Sequence, residues 1–287
     1  MTHINKCAIS VEQNVPETLC HYTSLESLAN ILQYRTIRLM PLTSLDDPQE
    51  SRTADAPGIA MYYFVSCWTD DKTESIPMWN MYATLQSGVR IELVNDPFVR
   101  YEYSEHEAAK ALKLTADHVR FGENGLRTFL PLEDIAVHGI SAALLEGTNV
   151  LQRIRYTSNP DLLIPKTISL DDNGMQVDTS GVAKYKNEYW NFQHEWRYVL
   201  NFLPMNPFVD IEDSEERFAE AIGRMISGVD ARAIPFYDLH LREDAIRGMR
   251  IVPSPKMTTG NRILLNHLIA AHGLLDNVDE SELVGLL

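Results

Sequence analysis

Residues 61–68, MYYFVSCW, form one continuous apolar and aromatic run. Such a run is typical of a strand buried on both faces. A second strong strand is predicted at 194–203, HEWRYVLNFL, with shorter ones at 17–22, 36–40, 89–94, 150–156 and near 249–252. Between them lie helical patterns. Thr23-Ser24-Leu25-Glu26 fits a capping box, followed at helical spacing by Leu28, Ile31 and Leu32. Pro77 suits a first helical turn, Met78, Met81, Tyr82 and Leu85 mark an apolar face, and Gly88 is a candidate C-cap. Further helices are expected at 104–119, 132–146, 183–191, near 214–226 and near 260–274, with a long loop over 157–182.

Strands and helices alternate irregularly, which favours an α+β fold over a doubly wound one. A central mixed or antiparallel sheet with flanking helices is the expectation. No compositional break divides residues 1–287, so a single domain is expected, with 104–148 as a helical insertion or lid.

Charge and motifs exclude several classes. The 25 Lys and Arg face 40 Asp and Glu, a net charge of −15. Duplex-DNA binding needs clustered cations against phosphates and is not expected, although a local basic groove remains compatible. The three cysteines, Cys7, Cys20 and Cys67, suggest neither a disulfide framework nor a zinc site. Cys67, beside Trp68, reads as a buried small hydrophobe rather than a nucleophile. The N-terminus has no signal-like apolar region and no apolar run approaches about 18 residues, so a cytoplasmic protein without membrane association is expected. No dinucleotide Gly-rich turn, phosphate loop, nucleophile elbow or His-Glu-x-x-His occurs, and no metal is expected. Asp238, His240, Glu243 and Asp244 read as a charged loop and helix start rather than a cation site.

Three segments combine polar groups with aromatics: His21-Tyr22-Thr23-Ser24; Phe64-Val65-Ser66-Cys67-Trp68 with Met78-Trp79-Asn80-Met81-Tyr82; and Trp190 through Arg197. Period two puts Glu195 and Arg197 on one strand face, with His194, Trp196 and Tyr198 on the other. A carboxylate among aromatics is costly to bury unless paired or functional. Each residue has a structural alternative. Glu195 and Arg197 satisfy one another, His21 is a satisfied histidine at a helix start, and Ser66 is a buried hydroxyl bonded to backbone.

Together, His-Tyr-Thr-Ser with its helix, Asp46-Asp47-Pro48, Phe-Val-Ser-Cys with Met-Trp and Tyr-Ala, and Lys186, Trp190 and Glu195-Trp-Arg197 resemble the bacterial domain-of-unknown-function family 2971, over roughly residues 18 to 255. Gln193 departs from that pattern, which carries an acidic residue there. More distantly, the order of elements is similar to the His-Tyr-Glu arrangement of ADP-ribosyltransferase folds, which implies a split sheet and NAD as substrate. By that resemblance His21 bonds a ribose and Glu195 supports the oxocarbenium-like transition state. Tyr82 or Trp79 stacks on nicotinamide, and Tyr22, Thr23, Ser66 and Arg197 are substrate-binding candidates. It further implies a macromolecular acceptor or water, and a toxin or phage-defence setting.

The chemistry is coherent. A fixed carboxylate favours positive charge building on a ribose carbon. An aromatic face suits a pyridinium, and Arg197, Arg35 or Arg38 is suited to a pyrophosphate. Two other readings stand beside this one: a non-catalytic module binding a nucleotide or a protein, and a hydrolase or nuclease using His21 or His194 as base.

Overall fold

The structure, a computed structural model, describes residues 12, 14–104, 106–107, 126–134, 141–142, 150–171, 174–203, 214–228 and 234–287. Fifteen strands occur among them. The chain opens with β1 (Thr18–Ser24), helix α1 (Leu25–Tyr34) and β2 (Thr36–Pro41). A 3-10 turn then leads into β3 (Tyr63–Thr69). The short helix α2 (Ile76–Met78) runs straight into a π-turn, Trp79–Ala83, and β4 (Gly88–Val94) follows. Next come β5 (Tyr101–Tyr103), β6 (Leu126–Thr128), β7 (Ser141–Ala142), β8 (Leu151–Arg153) and β9 (Arg155–Thr157). The hairpin β10 (Ile168–Asp171) and β11 (Gly174–Val177), then β12 (Tyr185–Asn187), β13 (Glu195–Leu203), β14 (Tyr237–His240) and β15 (Arg250–Pro253), complete the strands.

Nine of these form one antiparallel sheet in the order β14-β2-β3-β1-β4-β15, with β13 on β3 and β7 and β8 on β13. The α+β expectation holds in this form, with an antiparallel sheet and several helices. β3 lies at its centre. Phe64 and Trp68 face a core shared with α1 and the helix Thr259–Ala271, while Tyr63 and Val65 face a second core with the helix Ser214–Ser227. This two-sided burial explains the unbroken apolar run. Trp68 meets Tyr198 of β13 edge-on, with ring centroids 5.8 Å apart.

The sheet splits along one edge of β3. β1 pairs with β4 over its whole length but touches β3 only at Cys20 opposite Thr69. β2 takes up the same edge of β3 only at Met40 opposite Val65 and Pro41 opposite Phe64. Helix α1 connects the two diverging strands, and the edge of β3 between them is left open at Ser66–Trp68.

Several local expectations change. Ser24, not Thr23, caps α1, and its hydroxyl accepts from the Ser27 amide. Gly88 opens β4 rather than ending a helix. A Cβ there would come 2.2 Å from the Ala83 carbonyl oxygen, so the π-turn packs against bare backbone. The predicted helix at 183–191 is instead β12 and a 3-10 turn, Glu188–Gln193. The 157–182 loop contains the β10–β11 hairpin. Strand β14, which pairs with β2, lies outside the predicted strands. Most of 104–148, the expected insertion or lid, lies outside the described residues, although Ser141–Ala142 within the expected second helix forms a strand on β13. Among the described residues no helix is long and apolar enough to cross a membrane.

Candidate functional site

The gap between β1 and β2 is a cavity of about 280 Å³. Its walls include His21 and Tyr22 from β1, Ser66 to Trp68 from β3, Tyr82 from the π-turn, Asp46 from the loop after β2, Lys186 from β12, Gln193 from the 3-10 turn that follows, and Glu195 at the start of β13. Elements far apart in the chain therefore converge. The strand residues are placed by sheet topology: β3 pairs with β13 in full register, placing Glu195 opposite Thr69 and Arg197 opposite Cys67.

His21 spans the split. Its Nδ1 lies 2.8 Å from the Cys67 carbonyl oxygen, an acceptor that no neighbouring strand reaches. Its ring also lies against Trp68, with centroids 5.0 Å apart. Burial pushes the imidazole pKa below its ordinary value, against the opposing pull of the Cys67 carbonyl. A neutral ring donating from Nδ1 leaves Nε2 as an acceptor.

Glu195 is 3% exposed and belongs to a buried cluster of four charges. Arg197 Nε donates to its Oε1 at 2.5 Å, and Lys186 Nζ donates to its Oε2 at 3.0 Å. Glu50 closes the ring, 3.1 Å from Lys186 and 2.5 Å from Arg197. Those contacts of Glu50 are ion pairs without hydrogen-bond alignment. Two anions and two cations balance, which is the condition for burying them at all. Burial opposes ionisation of Glu195, but Arg197 and Lys186 outweigh it and hold the carboxyl below the usual range. Burial opposes the charge of Lys186 in turn, but Glu195 and Glu50 outweigh it and raise its pKa.

A hydrogen-bond chain runs from this cluster to the surface. Lys186 donates to Gln193 Oε1 at 2.8 Å, and Gln193 Nε2 donates to the Tyr82 hydroxyl at 2.6 Å. The Tyr82 phenol is pushed up by burial and by its bond to the Asp46 carboxylate. Gln193 thus accepts a hydrogen bond from Lys186 where a carboxylate would add a third anion.

Of the predicted residues, His21, Tyr22, Ser66, Tyr82 and Glu195 line the cavity. The others do not. Trp79 is fully buried, edge-on to Tyr22, and its Nε1 donates to Glu74 at 2.8 Å, so Tyr82 is the residue of that pair on the wall. Thr23 is buried outside the lining. Arg197 is 0% exposed beneath Glu195, where it meets the carboxylate rather than a ligand. Arg35 is exposed and paired with Glu243, while Arg38 lines the cavity with its guanidinium held by Asp238. His194 is exposed, in the left-handed region with φ 44° at the end of the 3-10 turn, outside the lining. The Ser66 hydroxyl accepts from Trp68 Nε1 at 3.0 Å instead of bonding to backbone. Cys67 is half-buried on the wall, its thiol pKa raised by burial and then by Glu195.

Glu50 and Lys186 were not predicted as site residues. The lysine stood within a quoted motif, but nothing in its spacing pairs it with a glutamate 136 residues earlier (186 minus 50). No protein-family model, no curated protein and no solved structure matches the chain. The resemblance to family 2971 therefore rests on its motif residues alone.

Proposed function

We propose that the cavity binds a nucleotide and that the chain is an ADP-ribosyltransferase-like enzyme acting on NAD, with a macromolecule or water as acceptor. The convergence of His21, Ser66, Tyr82 and Glu195 on one cavity carries this reading. The opening of the sheet between β1 and β2 supports the split-sheet comparison.

The residues present fit the nicotinamide-ribose half of the ligand. A volume of about 280 Å³ sits near the lower end of ligand cavities, ~300–1,000 Å³. Trp68 and Tyr82 offer aromatic surface to a pyridinium. The neutral His21 accepts from a ribose hydroxyl. Glu195, kept ionised by its two cations, accepts from a second hydroxyl and favours positive charge on the ribose carbon as nicotinamide leaves. Arg197 and Lys186 are positioning residues that fix the carboxylate, at the cost of sharing its charge.

That sharing favours a second reading. Both oxygens of Glu195 already meet cations, as in a structural ion pair, and a non-catalytic nucleotide-binding module would show the same geometry. Labelled NAD separates the two. Nicotinamide release by the wild type, lowered about 100-fold or more in Glu195→Gln, establishes the enzyme. Saturable NAD binding with no release, unchanged by Glu195→Gln, establishes the module.

A further inference from the structure

The split in the sheet leaves Cys67 outside the registers that β1 and β2 form with β3. On β13, the Glu195 carbonyl accepts from the Ile154 amide at 2.9 Å and the Val199 amide donates to the Val150 carbonyl at 2.7 Å. The odd-numbered residues of β13 therefore direct their backbone groups toward β8, and Arg197 among them is not hydrogen-bonded to the residue opposite, Cys67. In an antiparallel strand the N–H and C=O of one residue point to the same side. Cys67 must then direct both groups to the other edge of β3. Its carbonyl does so, and meets His21. Its N–H emerges at the same place, between the last β1 contact at Thr69 and the first β2 contact at Val65. Cys67 lines the cavity.

We infer that the Cys67 backbone N–H is an anchoring donor of the site, taking an acceptor oxygen of the bound nucleotide: a carboxamide carbonyl or a phosphate oxygen. The inference rests on the nucleotide-site reading above and adds a specific contact to it. A donor fixed by the β3–β13 ladder is pre-organised and needs no side-chain ordering on binding. A backbone amide that a bound ligand covers without offering an acceptor is costly, so a ligand that places an acceptor there is favoured. His21 has a matching part: by holding the Cys67 carbonyl, it leaves the adjacent edge with donor character alone. The geometry thus selects an acceptor and disfavours a ligand group that can only donate.

The test is amide NMR of the full chain with 15N labelling, titrated separately with NAD, nicotinamide and ADP-ribose. The expected result is a saturable downfield shift of the Cys67 amide with NAD and slowed exchange of its proton by tenfold or more. Nicotinamide alone reproduces the shift if the acceptor is the carboxamide, and ADP-ribose alone if it is a phosphate. An amide-to-ester replacement at position 67, which removes the N–H and keeps the side chain, is expected to weaken NAD binding about tenfold. Tyr82 and His21 signals that move with NAD while the Cys67 amide stays still would overturn the inference and leave the nucleotide site intact. No response of any cavity signal to the three probes overturns both.

Discussion

Arg197 and Glu195 stand two residues apart on one face of β13 and meet at 2.5 Å, with the arginine wholly buried and the glutamate at the cavity wall. The strand repeat alone brings them together. Lys186 and Glu50 then complete the cluster. A carboxylate fixed from behind by two cations keeps its charge and its position in a dry setting, and the same contacts make it a structural element. Function and stability are therefore linked at this residue.

Replacing Glu195 with Gln leaves Lys186 and Arg197 facing one anion. Loss of one partner of a buried pair costs about 3–5 kcal/mol, and urea unfolding of Glu195→Gln is expected to show a loss near that size. A denaturation midpoint equal to wild type would mean that the cluster is hydrated rather than buried.

Acid weakens the fold in two stages. His21 has a folded pKa below its ordinary 6.5, so the unfolded chain takes up the proton first and stability begins to fall as pH drops through about 6.5. Glu195 has a folded pKa depressed below its ordinary 4.5; its contribution is complete above that value and is lost as pH falls toward the folded pKa. Urea midpoints between pH 8 and about 2 are expected to show both stages, and His21→Gln is expected to remove the first. A profile that is flat from pH 8 to 5 in the wild type contradicts the neutral, buried imidazole.

Trp79 and Tyr82 separate stability from binding. Trp79→Phe withdraws a donor from the buried Glu74 carboxylate and is expected to cost about 1–3 kcal/mol, with NAD affinity of the folded protein unchanged because Trp79 is off the wall. Tyr82→Ala removes aromatic wall and the Gln193 partner, and is expected to weaken NAD binding about tenfold or more. Calorimetry at matched folded fraction checks both; equal binding losses would show the assignment of the wall to be wrong.

Glu74 also ties down the end of the described chain. It accepts from Trp79 Nε1, from the Ser281 hydroxyl at 2.8 Å and from the Glu282 amide at 2.7 Å. Glu74→Ala is expected to expose the segment around Ser281 to limited proteolysis and to cost about 2–4 kcal/mol through three lost bonds. Digestion at the wild-type rate would show that Leu283, packed near Tyr22 and Trp79, holds the segment by itself.

Much of the fold was legible in the chain. The run at 61–68 announced a strand covered on both sides, and β3 is that strand. HEWRYVLNFL gave β13, with Glu195 and Arg197 on a shared face, because a period of two is a local property. The same is true of α1, whose Leu28, Ile31 and Leu32 face inward. The errors fell where local pattern is ambiguous. A polar stretch at 157–182 hid the hairpin β10–β11, and short β14 carried too few apolar residues to stand out.

The amino-acid sequence by itself determined which segments become strands and helices, and which carry imidazole, aromatic ring and carboxylate, since periodicity and capping act between near neighbours. Only the tertiary structure decided that β1 and β2 part along β3 and leave a cavity, that Tyr82 rather than Trp79 borders it, and that Glu50 and Lys186 neutralise the charges beneath it. Those outcomes depend on strand pairing and on the pairing of buried charges between residues far apart in the chain, and no short-range pattern encodes which distant partner arrives.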